Sequence, residues 1–273
     1  MEQKNRGDSF YRIWEALKPL IIYYVTYYAA FFLFIYLCNA VMEYFGDGLP
    51  AYVAEHGGTV TELVSGVSML IGVMPLLPML RQELSVHRDY ADKTAKASAI
   101  LITVILAMAS SVALNVLLSL TGLVQSSESY RDVASHQYSV AFGMGAVLFG
   151  LISPVAEEIV FRGLVFNRMR RYCPTAAAII VSAVLFGVYH GNLVQGLYGG
   201  CMGILLSYTY ARMKSFFFPC LFHATANLTV YLLTYAQTIY QGLQGVIFTA
   251  TGCIALLIVS AVCIFITERL WKH

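Results

Sequence analysis

Long apolar stretches separated by short polar segments follow one another along the chain from residue 20 onward. A helix that crosses the hydrocarbon core of a bilayer needs about 20 mostly apolar residues. Eight segments meet or approach that length, and they are residues 20–42, 61–80, 97–124, 139–166, 175–190, 193–211, 216–235 and 246–267. The pattern therefore predicts an all-α integral membrane protein built as a bundle of about eight transmembrane helices.

The separation between the fifth and sixth apolar segments is the weakest feature of this pattern. The fifth segment is short, and only Gly191 and Asn192 interrupt the apolar sequence before the sixth begins. If the two segments fuse into one long or re-entrant element, the count falls to seven.

The positions of the basic residues favour eight spans over seven. With eight spans and the N-terminus inside, 16 of the 17 lysines and arginines fall on one side, and Arg131 alone lies outside that set. Lysine and arginine are enriched in cytoplasmic loops. We therefore expect a multi-pass protein of the cell membrane with both termini in the cytoplasm.

Composition supports a membrane protein and excludes some other classes. Hydrophobic residues make up 59% of the chain and charged residues only 12%, whereas soluble domains carry about 25% charged residues. Residues 1–273 therefore form one predicted multi-pass membrane domain, with the lipid bilayer as its surroundings and its first apolar segment as a retained span. The net charge of +2 and the lack of a basic tract argue against a nucleic-acid partner.

Two acidic residues interrupt the fourth apolar segment. Glu157 and Glu158 lie within it, and ionisable groups at membrane depth cost on the order of 2.5–3.5 kcal/mol each. Arg162 follows Glu158 by four residues, so the two share a helical face and can pair, while Glu157 points about 100° away. Pro154 can kink the helix one turn earlier. Either the pairing leaves Glu157 free for chemistry, or all three residues form a structural ion network.

Two further polar pairs occur in apolar surroundings. Phe186 and His190 are four residues apart at the end of the fifth segment, and His223 and Asn227 are four apart in the seventh. Each pair lies on one face of a helix, and His223 and Asn227 can both donate hydrogen bonds toward a common point. The alternative for each histidine is a structural bond between helices.

These groups together could hydrolyse an amide. That reaction needs a base for water, donors for the oxyanion and an acid for the leaving amine. A glutamate can be both the base and the acid, and histidine and asparagine side chains can be the donors. The chain contains no G-x-S-x-G serine motif and no H-E-x-x-H zinc motif.

The three motifs resemble those of the CAAX prenyl protease and bacteriocin-processing family of intramembrane glutamic endopeptidases. The resemblance covers about residues 140–230, and the motifs stand in the family's order as Glu157-Glu158-x-x-x-Arg162, Phe186-x-x-x-His190 and His223-x-x-x-Asn227. It implies a bundle of about eight spans, with the site in a cavity open to the cytoplasm and the bilayer.

The resemblance also implies a role for each motif residue. Glu157 would activate water with help from His190, and His223 and Asn227 would form the oxyanion hole. Glu158, Arg162 and Phe186 would support the site. The resemblance implies no cofactor and no metal, with zinc held by the glutamates and histidines as the alternative. The expected partner is a membrane-associated peptide or protein substrate, either prenylated or a peptide precursor.

Other functions and one geometric difficulty stay open from the sequence. The alternatives are a non-catalytic immunity or scaffolding protein of the same fold and, less favoured because no repeated halves are visible, a proton-coupled transporter. At about 1.5 Å per residue, Glu157 lies roughly 16 Å from the basic end of its helix, but His190 lies roughly 24 Å from Pro174. A tilted or late-starting fifth helix would bring the two to the same depth.

Overall fold

A computed structural model of the chain describes residues 2–45, 48–86, 97–239 and 249–270, with side chains left out for residues 2–10, 45, 48–56 and 237–239. Within these ranges the chain forms helices joined by short turns, and no strand occurs. This confirms the prediction of an all-α membrane protein.

Thirteen α-helical elements follow one another in the part of the chain that the structure describes. The first six are α1 (Glu2–Phe45), α2 (Gly48–Val73), α3 (Leu77–Val86), α4 (Ala97–Leu120), α5 (Leu123–Ser126) and α6 (Glu128–Ser139), with a 3-10 turn at Met74–Leu76 before α3. The next three, which together form one long interrupted helix, are α7 (Phe142–Val147), α8 (Ser153–Glu158) and α9 (Asn167–Met169). The last four are α10 (Thr175–Tyr189), α11 (Leu193–Met213), α12 (Phe217–Ile239) and α13 (Ala250–Leu270).

Six helical stretches in the described residues are long and apolar enough to cross a membrane. They are Tyr11–Tyr44, Gly57–Val86, Ala97–Leu120, Phe142–Met169, Phe217–Ala236 and Ala250–Leu270. The fifth predicted segment forms α10, which has 15 residues and is therefore about 22 Å long, shorter than the hydrocarbon core of about 30 Å. The chain is a multi-pass membrane protein, and complete crossing by α10 and α11 stays a prediction.

The fifth and sixth segments form two separate helices and not one continuous helix. Gly191 adopts a φ of 74°, and the Asn192 side chain accepts a hydrogen bond from the Gln195 N–H at 2.9 Å, which caps α11. The two helices then pack closely side by side. A Cβ atom on Gly187 would lie 2.6 Å from the Gly196 carbonyl oxygen, so this crossing needs residues without side chains.

The interrupted helix that runs from Phe142 to Met169, which we name the motif helix, has two π-helical stretches. The first is Leu148–Ile152, where the Ser153 N–H bonds the Leu148 carbonyl five residues earlier. It ends two residues before Pro154, which lacks an N–H group for a regular α-helical bond. The second is Ile159–Phe166, immediately after the two glutamates. Such π-helical turns widen a helix locally and are frequent at functional sites.

The motif helix lies at the centre of the bundle. Its residues contact α1, α2, α3, α10, α11 and α12. All eight residues of Ile159–Phe166 are buried, including Arg162. Arg162 was assigned to the basic side by sequence, but it is fully buried within the bundle. It therefore gives no information about membrane orientation.

Ion pairs bring the other basic segments together at one end of the bundle, which we name the basic end. Arg168 Nε lies 3.0 Å from Glu83 Oε1, and Arg171 also binds Glu83. Arg212 Nη2 lies 2.8 Å from Glu268 Oε1. The first set joins α3 to α9 and the residues after it, and the second joins α11 to α13. Both sets lie at the same end, because Arg170 and Arg212 line one surface pocket. The opposite end contains α6, where Ser139 packs against Gly58 near the start of α2.

Candidate active site

Glu158 and Arg162 form an ion pair in the centre of the bundle. Their side chains are fully buried, and Arg162 Nη1 donates to Glu158 Oε1 at 2.8 Å. Arg162 also donates to the Gly203 carbonyl at 3.1 Å and to Ser207 Oγ at 3.4 Å. A buried guanidinium needs such partners because an uncompensated charge is very costly away from water. Arg162 therefore joins the motif helix to α11.

His223 lies between the two adjacent glutamates. Its Nδ1 atom is 2.8 Å from Glu158 Oε1, which is hydrogen-bonding distance. Its Nε2 atom is 3.7 Å from Glu157 Oε2, which is too long for a direct hydrogen bond. The imidazole is therefore held by Glu158 and directs its other nitrogen toward Glu157.

Glu157 is buried, with 5% of its surface exposed. Its Oε1 atom accepts a hydrogen bond of 2.9 Å from Ser153 Oγ, one helical turn earlier. The Glu157 carboxylate thus has one oxygen fixed by a hydroxyl and one directed toward His223. Unlike Glu158, Glu157 has no arginine within salt-bridge distance among the described residues.

The aromatic ring of Phe186 contacts both histidines. Its ring is edge-on to His190, with 4.8 Å between centroids, and to His223, with 5.6 Å between centroids. The Arg162 guanidinium lies 4.5 Å from the same ring centroid. His190 Nδ1 is 2.7 Å from the Phe186 carbonyl. Because a carbonyl can only accept, Nδ1 carries the hydrogen in that bond and His190 Nε2 is left for a ligand.

Asn227 anchors α12 to the first π-helical stretch. Its Nδ2 atom donates to the Phe149 carbonyl at 3.1 Å. A carboxamide carries two N–H bonds, so this contact uses one donor of Asn227 and leaves a second one. The bond fixes the amide group at the wall of the cavity that Glu157 also lines.

One cavity of about 260 Å³ brings the predicted catalytic residues together. Its walls include Glu157, His190, His223, Asn227 and Phe186. Glu158 and Arg162 do not line it and lie behind His223, in the surrounding protein. Glu157 and His190 share this cavity although α10 begins at Thr175, directly after Pro174. A late start of the fifth helix therefore does not account for their proximity.

The site also contains residues that lie outside the three sequence motifs. Ser153 has a signal in the sequence, because it lies four residues before Glu157 on the same helical face. Gly203 and Ser207 hold Arg162 from another helix, and no sequence spacing indicates that contact. Gly199 leaves room for an imidazole, since a Cβ atom there would lie 2.9 Å from His190 Cε1.

The tyrosines of α1 pack against the outside of this cluster. Tyr23 is fully buried, and its hydroxyl lies 3.4 Å from that of Tyr189, the neighbour of His190. Tyr23 therefore belongs to the core beside the site. Among the described residues, no three histidine, cysteine or acidic side chains are grouped as metal ligands, and a metal-free reaction stays a prediction.

Comparisons with known proteins match the part of the chain in which the three motifs lie. Residues 139–229 match the family model described as type II CAAX prenyl endopeptidase Rce1-like. Over 87 residues, the chain is 29% identical to the Bacillus subtilis (strain 168) protein described as "Putative membrane peptidase YdiL". That alignment covers 32% of this chain and 36% of the relative. No solved structure matches the chain. The comparisons thus support the resemblance to the CAAX prenyl protease and bacteriocin-processing family over residues 139–229, the part of the chain that matches the Rce1-like model.

Proposed function

We propose that this protein is a metal-independent intramembrane glutamic endopeptidase that cleaves a membrane-associated peptide or protein. One observation carries the proposal: the buried carboxylate of Glu157 faces a cavity whose walls also include His190, His223 and Asn227. The similarity to membrane peptidases supports the broader class of peptidase. The glutamic mechanism and the substrate are our own inference.

The reaction begins with water bound between Glu157 and His190. Glu157 takes one proton from this water, and the resulting hydroxide adds to the carbonyl carbon of the scissile peptide bond. Ser153 holds Glu157 Oε1 at 2.9 Å, so Oε2 is the oxygen available to receive the proton. His190 Nε2 orients the water, because its Nδ1 is engaged by the Phe186 carbonyl.

The negative charge that develops on the carbonyl oxygen is stabilised by His223 and Asn227. Donors fixed in advance around a developing oxyanion are often the largest single contribution to catalysis of acyl transfer. In its doubly protonated form, His223 donates from Nδ1 to Glu158 and from Nε2 into the cavity. With Arg162, the two cations then balance the charges of Glu157 and Glu158, which favours burial of the whole group.

Collapse of the tetrahedral intermediate completes the hydrolysis. The carbon–nitrogen bond breaks, and the proton held by Glu157 passes to the leaving amine. The products are a new carboxyl terminus and a new amino terminus, and Glu157 returns to its ionised form. In this scheme Glu158, Arg162 and Phe186 are positioning residues. Glu158 bonds His223, Phe186 contacts both histidines, and Arg162 contacts Glu158 and Phe186.

The test is cleavage of a panel of prenylated and unprenylated peptides by purified protein, read by mass spectrometry. Wild type is expected to cleave at least one peptide, and Glu157→Ala, inserted and folded, is expected to cleave none. Cleavage retained by Glu157→Ala would move the base to Glu158. A wild type that cleaves no peptide but binds a partner protein would support the non-catalytic immunity or scaffolding alternative. Proton-coupled transport by vesicles containing the protein would support the transporter.

A further inference from the structure

The cavity that contains Glu157 extends toward the α6 end of the bundle. Beyond the predicted catalytic residues, its walls include Tyr130, Val133, Gln137 and Tyr138, all from α6. Val133 is 39% exposed, so the cavity reaches the surface of the described bundle on this side.

In the other direction, buried side chains separate Glu157 from the basic end. Every residue of Ile159–Phe166 is buried, and Leu80, Leu206 and Phe222 pack with this stretch in the same core. Among the described residues, none of the cavity lining comes from α3, α9 or α13, the helices whose ion pairs mark the basic end. The basic end therefore offers no visible route to Glu157.

The outer part of the cavity has polar groups on several walls. They are Glu62 and Ser65 from α2, Asn115 from α4, Gln137 and Tyr138 from α6, and Gln195 and Tyr198 from α11. A polypeptide has N–H and C=O groups that can bond such side chains, whereas an isoprenoid chain has none, so it would displace water from these polar groups without replacing its hydrogen bonds. The lining is therefore better suited to a polypeptide than to a prenyl chain.

We infer that the site receives an unprenylated polypeptide segment from the membrane face at the α6 end. This inference rests on the proposed peptidase function and specifies its substrate class and direction of entry. Since lysine and arginine mark cytoplasmic loops, the α6 end is the extracytoplasmic one. The entry route is thus opposite to the cytoplasmic opening that family resemblance implies.

Sided labelling of single cysteines tests the direction of entry. All six native cysteines, which are free, are replaced by alanine, and three single-cysteine reporters are introduced separately into the full-length protein. Val194→Cys places a thiol on a buried wall of the cavity, and Gln82→Cys places one on the exposed surface of α3 at the basic end. Gln137→Cys is a second cavity reporter, and it replaces a glutamine just as Gln82→Cys, the control at the basic end, does. A hydrophilic, membrane-impermeant thiol reagent is added to right-side-out or to inverted vesicles.

Val194→Cys and Gln137→Cys are expected to react from one side and Gln82→Cys from the other, with at least a tenfold difference in rate between the two vesicle orientations. Reaction of the cavity reporters from the same side as Gln82→Cys, or from neither side, would overturn the direction of entry. An unprenylated peptide added to the α6 side is expected to slow the labelling of Val194→Cys. Protection by prenylated peptides alone would overturn the assignment of substrate class.

The labelling experiment does not depend on hydrolysis. If an unprenylated peptide protects Val194→Cys but is never cleaved, the direction of entry and the ligand class stand while the proposed peptidase function fails. If peptides are cleaved but reach the site from the basic end, the function stands and this inference fails.

Discussion

His223 Nδ1 lies 2.8 Å from Oε1 of Glu158, the same oxygen that accepts a hydrogen bond from Arg162. This contact gives the two adjacent glutamates different surroundings. Glu158 is held by a guanidinium and an imidazole, whereas Glu157 is held by the Ser153 hydroxyl and lines the cavity. Glu158 is therefore tied to the surrounding protein, whereas Glu157 faces the cavity.

Removal of Arg162 is expected to destabilise the fold strongly. Arg162→Met leaves Glu158 buried without its guanidinium, and breaking a fully buried ion pair typically costs about 3–5 kcal/mol. The matched control is Arg212→Met, which breaks an ion pair whose side chains are 37% and 35% exposed. We expect this control to lose at most about 1 kcal/mol of folding stability. Thermal unfolding in detergent measures both. Equal losses for the two variants would contradict the assigned role of Arg162.

Loss of the oxyanion donors is expected to lower turnover more than substrate binding. His223→Ala and Asn227→Ala should each reduce kcat by about 10²–10³-fold, with a smaller change in KM, because such donors act mainly in the transition state. Steady-state kinetics on a cleaved peptide checks this, with unfolding temperature measured in parallel. A rise in KM at unchanged kcat would show that these residues bind substrate without stabilising the oxyanion.

The close contact between α10 and α11 is expected to be needed for stability and for His190 placement. Gly187→Ala puts a methyl group 2.6 Å from the Gly196 carbonyl oxygen, and such overpacking costs about 1–3 kcal/mol. The control Gly143→Ala lies in α7, where a Cβ atom meets nothing within 4 Å. Since alanine favours helix over glycine, the control should be neutral or stabilise by up to about 1 kcal/mol. Thermal unfolding of both variants tests the effect on stability, and peptide cleavage by both variants tests the effect on His190 placement.

The helical segments and the site motifs could be predicted from sequence because both depend on local patterns. The apolar segments predict where helices form, and the four-residue spacings predict which polar side chains share a face. The contacts of Arg162 with Gly203 and Ser207 depend on how α11 packs against the motif helix, and no periodicity encodes that packing. The π-helical stretches and the direction of the cavity likewise depend on the three-dimensional arrangement around Pro154 and α6.

Metal removal is expected to leave the activity unchanged. The proposed mechanism uses Glu157 as base and His223 and Asn227 as donors, so treatment with EDTA or 1,10-phenanthroline should not lower the rate of peptide cleavage. The same chelators applied to a known zinc peptidase control for their effectiveness. Activity lost with chelator and restored by zinc would revive the metal alternative.

The central claim is that Glu157 is the general base, and the most direct measurement is kcat for Glu157→Gln. Glutamine keeps the size and shape of the side chain but cannot take a proton. General acid–base catalysis contributes about 10²–10⁴-fold, so we expect the variant to lose at least about 10³-fold in kcat. Glu43→Gln, an exposed residue of α1, is the matched control and should keep the wild-type rate. Near wild-type turnover by Glu157→Gln, with the fold intact, would contradict the account.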